Sequence, residues 1–358
     1  MRTPLIFVIN PGSTSTKLAV FKGLRRRLEW SHSHLRENEV YYSSMKELAG
    51  LRTAGILEDL AVKGYHPGDF DLAVARGGLL KPLRGGVYRV NRKMVEDLAA
   101  CIYGRHLSNL GAIMAQRMVA GRGGKAYVVN PVVVDELAPV ARISGLPAIA
   151  RRSIFHALNQ KAIAARVASR LGKDYRSARL IVVHAGGGVS VGAHLDGKVV
   201  DVNNALEGEG PFSPERSGGL PLLDFLRYVM DNGLDLHQAQ HLITRNSGLA
   251  AYLGTKDCRE IERRVREGDP RARLCYRAFV YQVAREIGAL AASVFNGRVD
   301  AVVLSGGIAA GGYFRRWLKK HVGFLGPVYA FPRTGEMEAL AAGGWEVWMG
   351  KTRARTYR

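Results

Sequence analysis

The chain opens twice in the same way, and this constrains its fold more than any other feature. Leu5-Ile6-Phe7-Val8-Ile9 runs into a turn rich in glycine, serine and threonine, then into Lys17-Leu18-Ala19-Val20-Phe21. Leu180-Ile181-Val182-Val183-His184 runs into Gly186-Gly187-Gly188, then into Val189-Ser190-Val191-Gly192-Ala193-His194-Leu195. Each stretch reads as strand, tight turn, strand. They align without gaps at an offset of 175, placing Leu5 on Leu180, Ile6 on Ile181, Val8 on Val183, Gly12 on Gly187 and Ser15 on Ser190. The offset is close to half of the 358 residues, so two halves built on one plan are expected. Asp196-Gly197 then turns the second hairpin into a further strand, Lys198-Val199-Val200-Asp201-Val202.

Strand-like and helix-like segments alternate through the remainder. Phe70 to Ala75 reads as a strand before Arg76-Gly77-Gly78, Ala126 to Asn130 as another before Pro131, and Arg152 to Leu171 has helical periodicity. Asp269-Pro270 predicts a helix cap followed by proline at the first helical position. The helix beyond it places Tyr276, Phe279, Val283, Ile287, Leu290 and Val294 on one face. Val299 to Leu304 is a strand running into Ser305-Gly306-Gly307. Such alternation predicts α/β layers. A division near residue 150 is expected, with residues 1–150 and 331–358 in one domain and 151–330 in the other.

Composition narrows the class. Hydrophobic residues make up 47% and charged residues 23%, an ordinary balance for a chain that buries a core. The longest apolar runs fall far short of a bilayer span, and the stretch after Arg2 is too short for a secretion signal. A cytoplasmic protein without a membrane partner is expected. Three cysteines, Cys101, Cys258 and Cys275, form no CxxC pattern, so no structural zinc is expected.

Fifty-two Lys and Arg against 31 Asp and Glu leave a net charge of +21, which attracts anions such as nucleic acid or phosphorylated small molecules. The basic residues are scattered over Arg25 to Arg27, Arg259 to Arg266, Arg315 to Lys320 and Lys351 to Arg358, mostly on segments of helical character. That pattern reads as a solvated surface rather than a nucleic-acid face.

Several signatures fail on context. Gly350-Lys351-Thr352 ends like a P-loop, but Trp345 stands where the spacing needs glycine. No G-x-G-x-x-G opens a helix, which leaves a dinucleotide fold unsupported. Gly188-Val189-Ser190-Val191-Gly192 fits the nucleophile elbow of hydrolases, yet the residues after Ser190 alternate like a strand instead of entering a helix.

The hairpin turns are better candidates. Asn10-Pro11-Gly12-Ser13-Thr14-Ser15-Thr16-Lys17 sets hydroxyls and an ammonium beside a glycine turn, and glycine lets backbone N–H groups approach a phosphate closely. Gly186, Gly187 and Gly188 offer the same from the other half. Arg76 at a strand end, Arg216 in Pro214-Glu215-Arg216-Ser217-Gly218-Gly219, and His156 after Arg151-Arg152 also suit anion chemistry. Asp135 and Glu338 are carboxylates that could serve a metal.

Together these residues resemble the acetate and butyrate kinase family of the actin-like ATPase superfamily. The first hairpin is similar to that family's phosphate-1 motif, His184-Ala185-Gly186-Gly187-Gly188 to its phosphate-2 motif, and Ser305-Gly306-Gly307-Ile308 to its adenosine motif. Asn204-Ala205-Leu206-Glu207-Gly208-Glu209-Gly210-Pro211, followed by Pro214-Glu215-Arg216-Ser217-Gly218, resembles the butyrate kinase branch. The resemblance implies an α/β fold of two duplicated RNase H-like domains around a central cleft, ATP and ADP with Mg2+, a short-chain carboxylate and its acyl phosphate, and a homo-oligomer.

By position, the resemblance implies that Asn10, Ser13, Ser15 and Lys17 line the phosphate and metal site. Arg76 and Arg216 would hold the carboxylate and the transferring phosphoryl group, and His156 would donate to that group. His184 would support the Gly186-Gly187-Gly188 turn, and Asp135 would orient an arginine or the metal shell. Asp257, Arg259, Gly306 and Gly307 would contact the nucleotide, and Glu338 with Asn10 would bind magnesium. Acetate or propionate as acceptor stays open. So does a non-catalytic protein of the same fold that binds nucleic acid through its basic surface.

Overall fold

The computed structural model describes residues 2–12, 14–34, 44–121, 123–332 and 335–358. The chain divides into two compact units, Met1–Val134 with Gly335–Arg358, and Asp135–Thr334.

The first unit carries β1 (Leu5–Pro11), β2 (Ser15–Lys22), β3 (Arg25–Ser33), β4 (Leu72–Arg76), β5 (Val87–Arg89) and β6 (Lys125–Val129). β1 pairs antiparallel with β2, and β2 with β3, while β4 lies parallel to β1 and β6 parallel to β4. β5 and the short strand Arg355–Thr356 extend the sheet beyond β6. Ile6, Phe7, Val8 and Ile9 are all fully buried, so β1 is a continuous apolar run covered on both faces. Helix Leu110–Val119 packs on the face that carries Ala75, and helix Glu336–Trp348 on the opposite face against Ile6, Leu72 and Val74.

The second unit carries β7 (Leu180–Ala185), β8 (Val189–Leu195), β9 (Lys198–Val202), β10 (Ala301–Ser305) and β11 (Val328–Phe331). β7, β8 and β9 pair antiparallel in succession, and β10 and β11 run parallel to β7. The order β9-β8-β7-β10-β11 repeats β3-β2-β1-β4-β6 strand for strand and in the same directions. The duplication is therefore a matter of topology as well as sequence.

The gapless alignment nevertheless holds only along the first strand of each hairpin. Ile9 pairs with Leu18, whereas its counterpart His184 pairs with Ser190, so the first turn is longer. Ser15 and Ser190 match in sequence but differ in register.

Alternation along β7 divides the second unit's core. Ile181 and Val183 pack with Tyr276, Phe279, Val283, Ile287 and Leu290 of helix Pro270–Phe295. Leu180 and Val182 pack with Ile163, Ala164 and Val167 of helix Ala157–Arg170. Asp269 caps the long helix by accepting from Ala272 N at 2.9 Å. At Asp196 and Gly197 both φ angles are positive, 53° and 73°, as the tight β8–β9 turn requires.

The basic segments are less helical than expected. Arg25 to Arg27 lie on β3, an edge strand, where charge discourages pairing with another chain. Lys351 to Arg358 contains only the short strand Arg355–Thr356.

Candidate active site

In the second unit the site grows out of strand alternation. Ser190, Gly192 and His194 share one face of β8, and His184 joins them as the register partner of Ser190. That face meets helix Ala157–Arg170, with His156 just before its first residue and Gln160 one turn on. His156 Nδ1 lies 2.8 Å from Ser190 Oγ, and the half-buried His156 ring stacks on His184 with centroids 4.1 Å apart. His184 Nδ1 lies 3.3 Å from Ser305 Oγ at the end of β10.

Because β7 and β10 are parallel, the turns that follow them emerge at one end of the sheet. Gly186, Gly187 and Gly188 follow β7, and Gly306 and Gly307 follow β10. This is the end of a parallel pair at which α/β folds bind ligands.

Arg216 lies against the triple glycine. A Cβ on Gly188 would stand 2.1 Å from Arg216 Nη1, so glycine is what lets the guanidinium approach the turn. Nη1 donates to Ala205 O at 2.6 Å. Ser213 Oγ donates to Gly187 O at 2.6 Å and accepts from Arg216 N at 3.1 Å, which ties the arginine's own loop to the turn.

Asp135 is nearly buried and accepts from both terminal nitrogens of Arg142, at 2.7 and 2.8 Å. It therefore orients an arginine, by the bidentate geometry that fixes direction as well as charge. Asp257 caps helix Cys258–Arg266, accepting from Arg259 N at 2.9 Å and from Arg259 Nη2 at 2.8 Å. Those bonds hold its pKa down at about 2.

In the first unit Asn10 is buried at the end of β1 and donates from Nδ2 to Glu336 Oε2 at 2.6 Å. Gly12 N donates to Ser15 O at 2.8 Å across the turn. Ser15 is half-buried, and Lys17, the register partner of Asn10, is exposed. Ser13 lies outside the described residues. Arg76 ends β4 and is half-buried before Gly77 and Gly78. Glu338 lies on the exposed side of its helix, 3.0 Å from Arg26 Nη1.

Sequence reasoning passed over several participants. Arg52 is completely buried on helix Met45–Val62 and donates from Nη1 to Gly12 O at 2.9 Å, bracing the first turn from behind. Its signal was an arginine among the inward positions Leu48, Ala49 and Ile56. Glu336, which reaches Asn10, stands two residues before the glutamate singled out. Gln160 stands four residues after His156, the spacing at which two helical side chains meet one neighbour.

The repeated sheet, with paired glycine turns at strand ends, places the protein in the duplicated α/β class of the actin-like ATPases. Residues 147–330 match the profile of the acetokinase family. The chain is 45% identical over 353 residues to Butyrate kinase 2 of Clostridium acetobutylicum, covering 99% of each chain. It is 43% identical over 353 residues to Butyrate kinase 1 of that organism, again with 99% of each covered. A propionate kinase from Francisella tularensis superposes with a TM-score of 0.77 at 20% identity, covering 95% of this chain and 98% of that one. The chain belongs to the acetokinase family.

Proposed function

We propose that the protein transfers the γ-phosphoryl group of ATP reversibly to butyrate, or to a short branched-chain relative, giving the acyl phosphate and ADP. The observation that carries this reading is the Arg216 guanidinium laid on a glycine turn that also leads to the His156–Ser190 pair. The near full-length likeness to butyrate kinases favours butyrate over acetate or propionate.

The chemistry asks little of the protein in proton transfer. An aliphatic carboxylate, like Asp or Glu with a pKa of about 4, is ionised at neutral pH and needs no general base. One carboxylate oxygen attacks the γ-phosphorus in line while the bond to the bridging oxygen breaks, and that electron pair leaves with ADP. What must be overcome is repulsion between two anions. Arg216 and Arg76 supply fixed positive charge for the carboxylate and the phosphoryl oxygens, with Arg142 held ready by Asp135. His156 donates to a phosphoryl oxygen in the transition state, and the turns at Gly12 and at Gly186 to Gly188 present backbone N–H groups to the nucleotide phosphates. Asp257, Arg259, Gly306 and Gly307 serve the nucleoside end.

The donor set also suits Mg2+, which takes one or two protein oxygens and fills its shell with water and phosphate oxygens. Asn10 and Glu336 would hold it, because they meet at 2.6 Å, whereas Glu338 is engaged by Arg26. When bound, the ion would neutralise charge on the β- and γ-phosphates.

Two broader properties follow from the same reading. Helix Leu222–Asp231 has no buried residue and exposes Leu222, Leu223, Leu226 and Met230, which supports a homo-oligomer. Cys101, Cys258 and Cys275 are free thiols, which suits the reducing cytoplasm. Within the segment Arg259 to Arg266, Arg259, Arg263 and Arg264 each pair with a nearby carboxylate, which lowers the charge that segment offers to a nucleic acid. Among the described residues no helix is long and apolar enough to cross a membrane.

Arg216→Ala tests the site assignment. Turnover of Mg-ATP and butyrate, followed as hydroxamate from trapped acyl phosphate, should fall about 100-fold or more. Full turnover in that variant would refute the assignment.

A further inference from the structure

We propose that Tyr175, His194, Gln160 and Ser190 form a buried hydrogen-bonded relay that fixes the tautomer of His156, keeping its proton on Nε2 as the donor to the transferring phosphoryl group. The donor role rests on the kinase reading above. The tautomer does not.

The directions around Gln160 follow from a single fixed point, and those at the two histidines follow once each ring is neutral. Gln160 Nε2 lies 3.1 Å from Ser190 O and 2.8 Å from Ser190 Oγ. A backbone carbonyl only accepts, so the atom facing it is the amide nitrogen, and the orientation of Gln160 is set. Its Oε1 then faces His194 Nε2 at 3.1 Å. That oxygen also only accepts, so His194 Nε2 carries a hydrogen.

His194 is fully buried, and burial, aided by the Lys161 charge, pushes its pKa well below the usual 6.5. It is therefore neutral at physiological pH, its Nδ1 is bare, and Tyr175 OH donates to it at 2.8 Å. The charges around this end are Lys161, whose ammonium lies over the Tyr175 ring, and Glu136, which pairs with Lys161 at 2.7 Å.

At the other end Ser190 Oγ has one hydrogen to give. It accepts from Gln160, and its other partner among the described residues is His156 Nδ1, 2.8 Å away. The hydroxyl hydrogen goes to Nδ1, and a neutral imidazole that accepts at Nδ1 carries its own hydrogen on Nε2. Ser190 is completely buried in β8, so no water competes for the bond. Gly192 makes room for the relay, because a Cβ there would lie 2.4 Å from Gln160 Oε1. The Gly188-Val189-Ser190-Val191-Gly192 pattern thus has a role unrelated to a serine nucleophile. Gly188 admits Arg216, Ser190 orients His156, and Gly192 admits Gln160.

These four are positioning residues, and nitrogen NMR reads their effect directly. The full chain, labelled with 15N-histidine, is examined at pH 8 by long-range 1H–15N correlation, with His156 assigned by its loss in His156→Gln. The expected spectrum shows an unprotonated Nδ1 and a protonated Nε2. Gln160→Met removes the donor to Ser190, should mix the two tautomers, and should lower kcat about 10–100-fold. KM for ATP and for butyrate should stay within about twofold. Ser190→Thr keeps the hydroxyl and should keep the wild-type pattern.

A wild-type spectrum with the proton on Nδ1 overturns the proposal with no variant needed. So does a Gln160→Met protein whose tautomer and kcat are unchanged. A tautomer that moves with Gln160 in a protein without carboxylate-dependent turnover upholds the relay and sinks the kinase reading instead.

Discussion

Gly188→Ala isolates the fit between the triple-glycine turn and Arg216. The added Cβ would stand 2.1 Å from Nη1, 2.9 Å from Cζ and 3.3 Å from Ala205 O. Ordinary contact begins at 3.4 Å, so the guanidinium must retreat by about 1.3 Å. That movement takes Nη1 off Ala205 O, which it now meets at 2.6 Å. Arg216 is half-buried and its end can swing toward water, so the loss of stability should stay below about 1.5 kcal/mol. Catalysis is less forgiving, because misplacing a positioning group by about 1 Å costs about 100-fold, equivalent to about 2.7 kcal/mol in the barrier. The assay is hydroxamate formation from Mg-ATP and butyrate, run beside thermal melts. Gly288→Ala on helix Pro270–Phe295 is the control, since a Cβ there meets nothing within 4 Å, and it should stay within about threefold of wild type. If Gly188→Ala keeps half or more of the wild-type kcat while folded, the turn is not shaped around Arg216.

Two further outcomes are expected. Glu336→Gln should raise the Mg2+ concentration needed for half-maximal rate about tenfold or more, or about 1.4 kcal/mol, while Glu338→Gln stays near wild type. Equal effects would remove the assignment of the metal to Asn10 and Glu336. The second concerns acid stability. His194 is held neutral in the fold, so below its usual pKa of 6.5 the unfolded chain takes up a proton that the folded chain refuses. Between pH 7.5 and 5.5 stability should therefore fall by about 1.4 kcal/mol more than in His194→Gln, most of it below pH 6.5, as read from urea melts at the two pH values. Parallel losses in the two proteins would show that His194 is not buried neutral.

Periodicity made much of the fold legible. The apolar runs Leu5 to Ile9 and Leu180 to Val183 are fully buried strands apart from half-buried Leu5, and Asp269-Pro270 starts the helix that covers the second sheet. Repeats in sequence report topology well but register poorly, and the unequal turns after Ile9 and His184 show why. A turn can lengthen without disturbing the apolar pattern on either side.

The candidate residues that sequence could propose are those whose chemistry is local, such as the glycine turns and Arg216, and the structure sets Arg216 against Gly188. It was hidden where function depends on side chains that converge from different elements. Strand-like surroundings set Ser190 aside as a nucleophile, and its actual partners stayed hidden because His156 and Gln160 lie at the start of a helix about thirty residues earlier. Arg52 went unremarked because, although it stands among inward positions of its helix, nothing nearby in sequence announces that Gly12 O awaits it. The resemblance pointed to Glu338, whereas the helix phase turns Glu336 toward Asn10, a difference that spacing alone does not reveal.

Transfer of phosphate from ATP to a short carboxylate is what the chain's residues are proposed to carry out. Its most direct test is ADP formation from Mg-ATP across a ladder of carboxylates from acetate to valerate, with the acyl phosphate trapped by hydroxylamine. Turnover should depend on the carboxylate, peak at butyrate or isobutyrate, and yield hydroxamate in step with ADP. Nucleotide binding with no carboxylate-dependent ADP or hydroxamate at any chain length would contradict it.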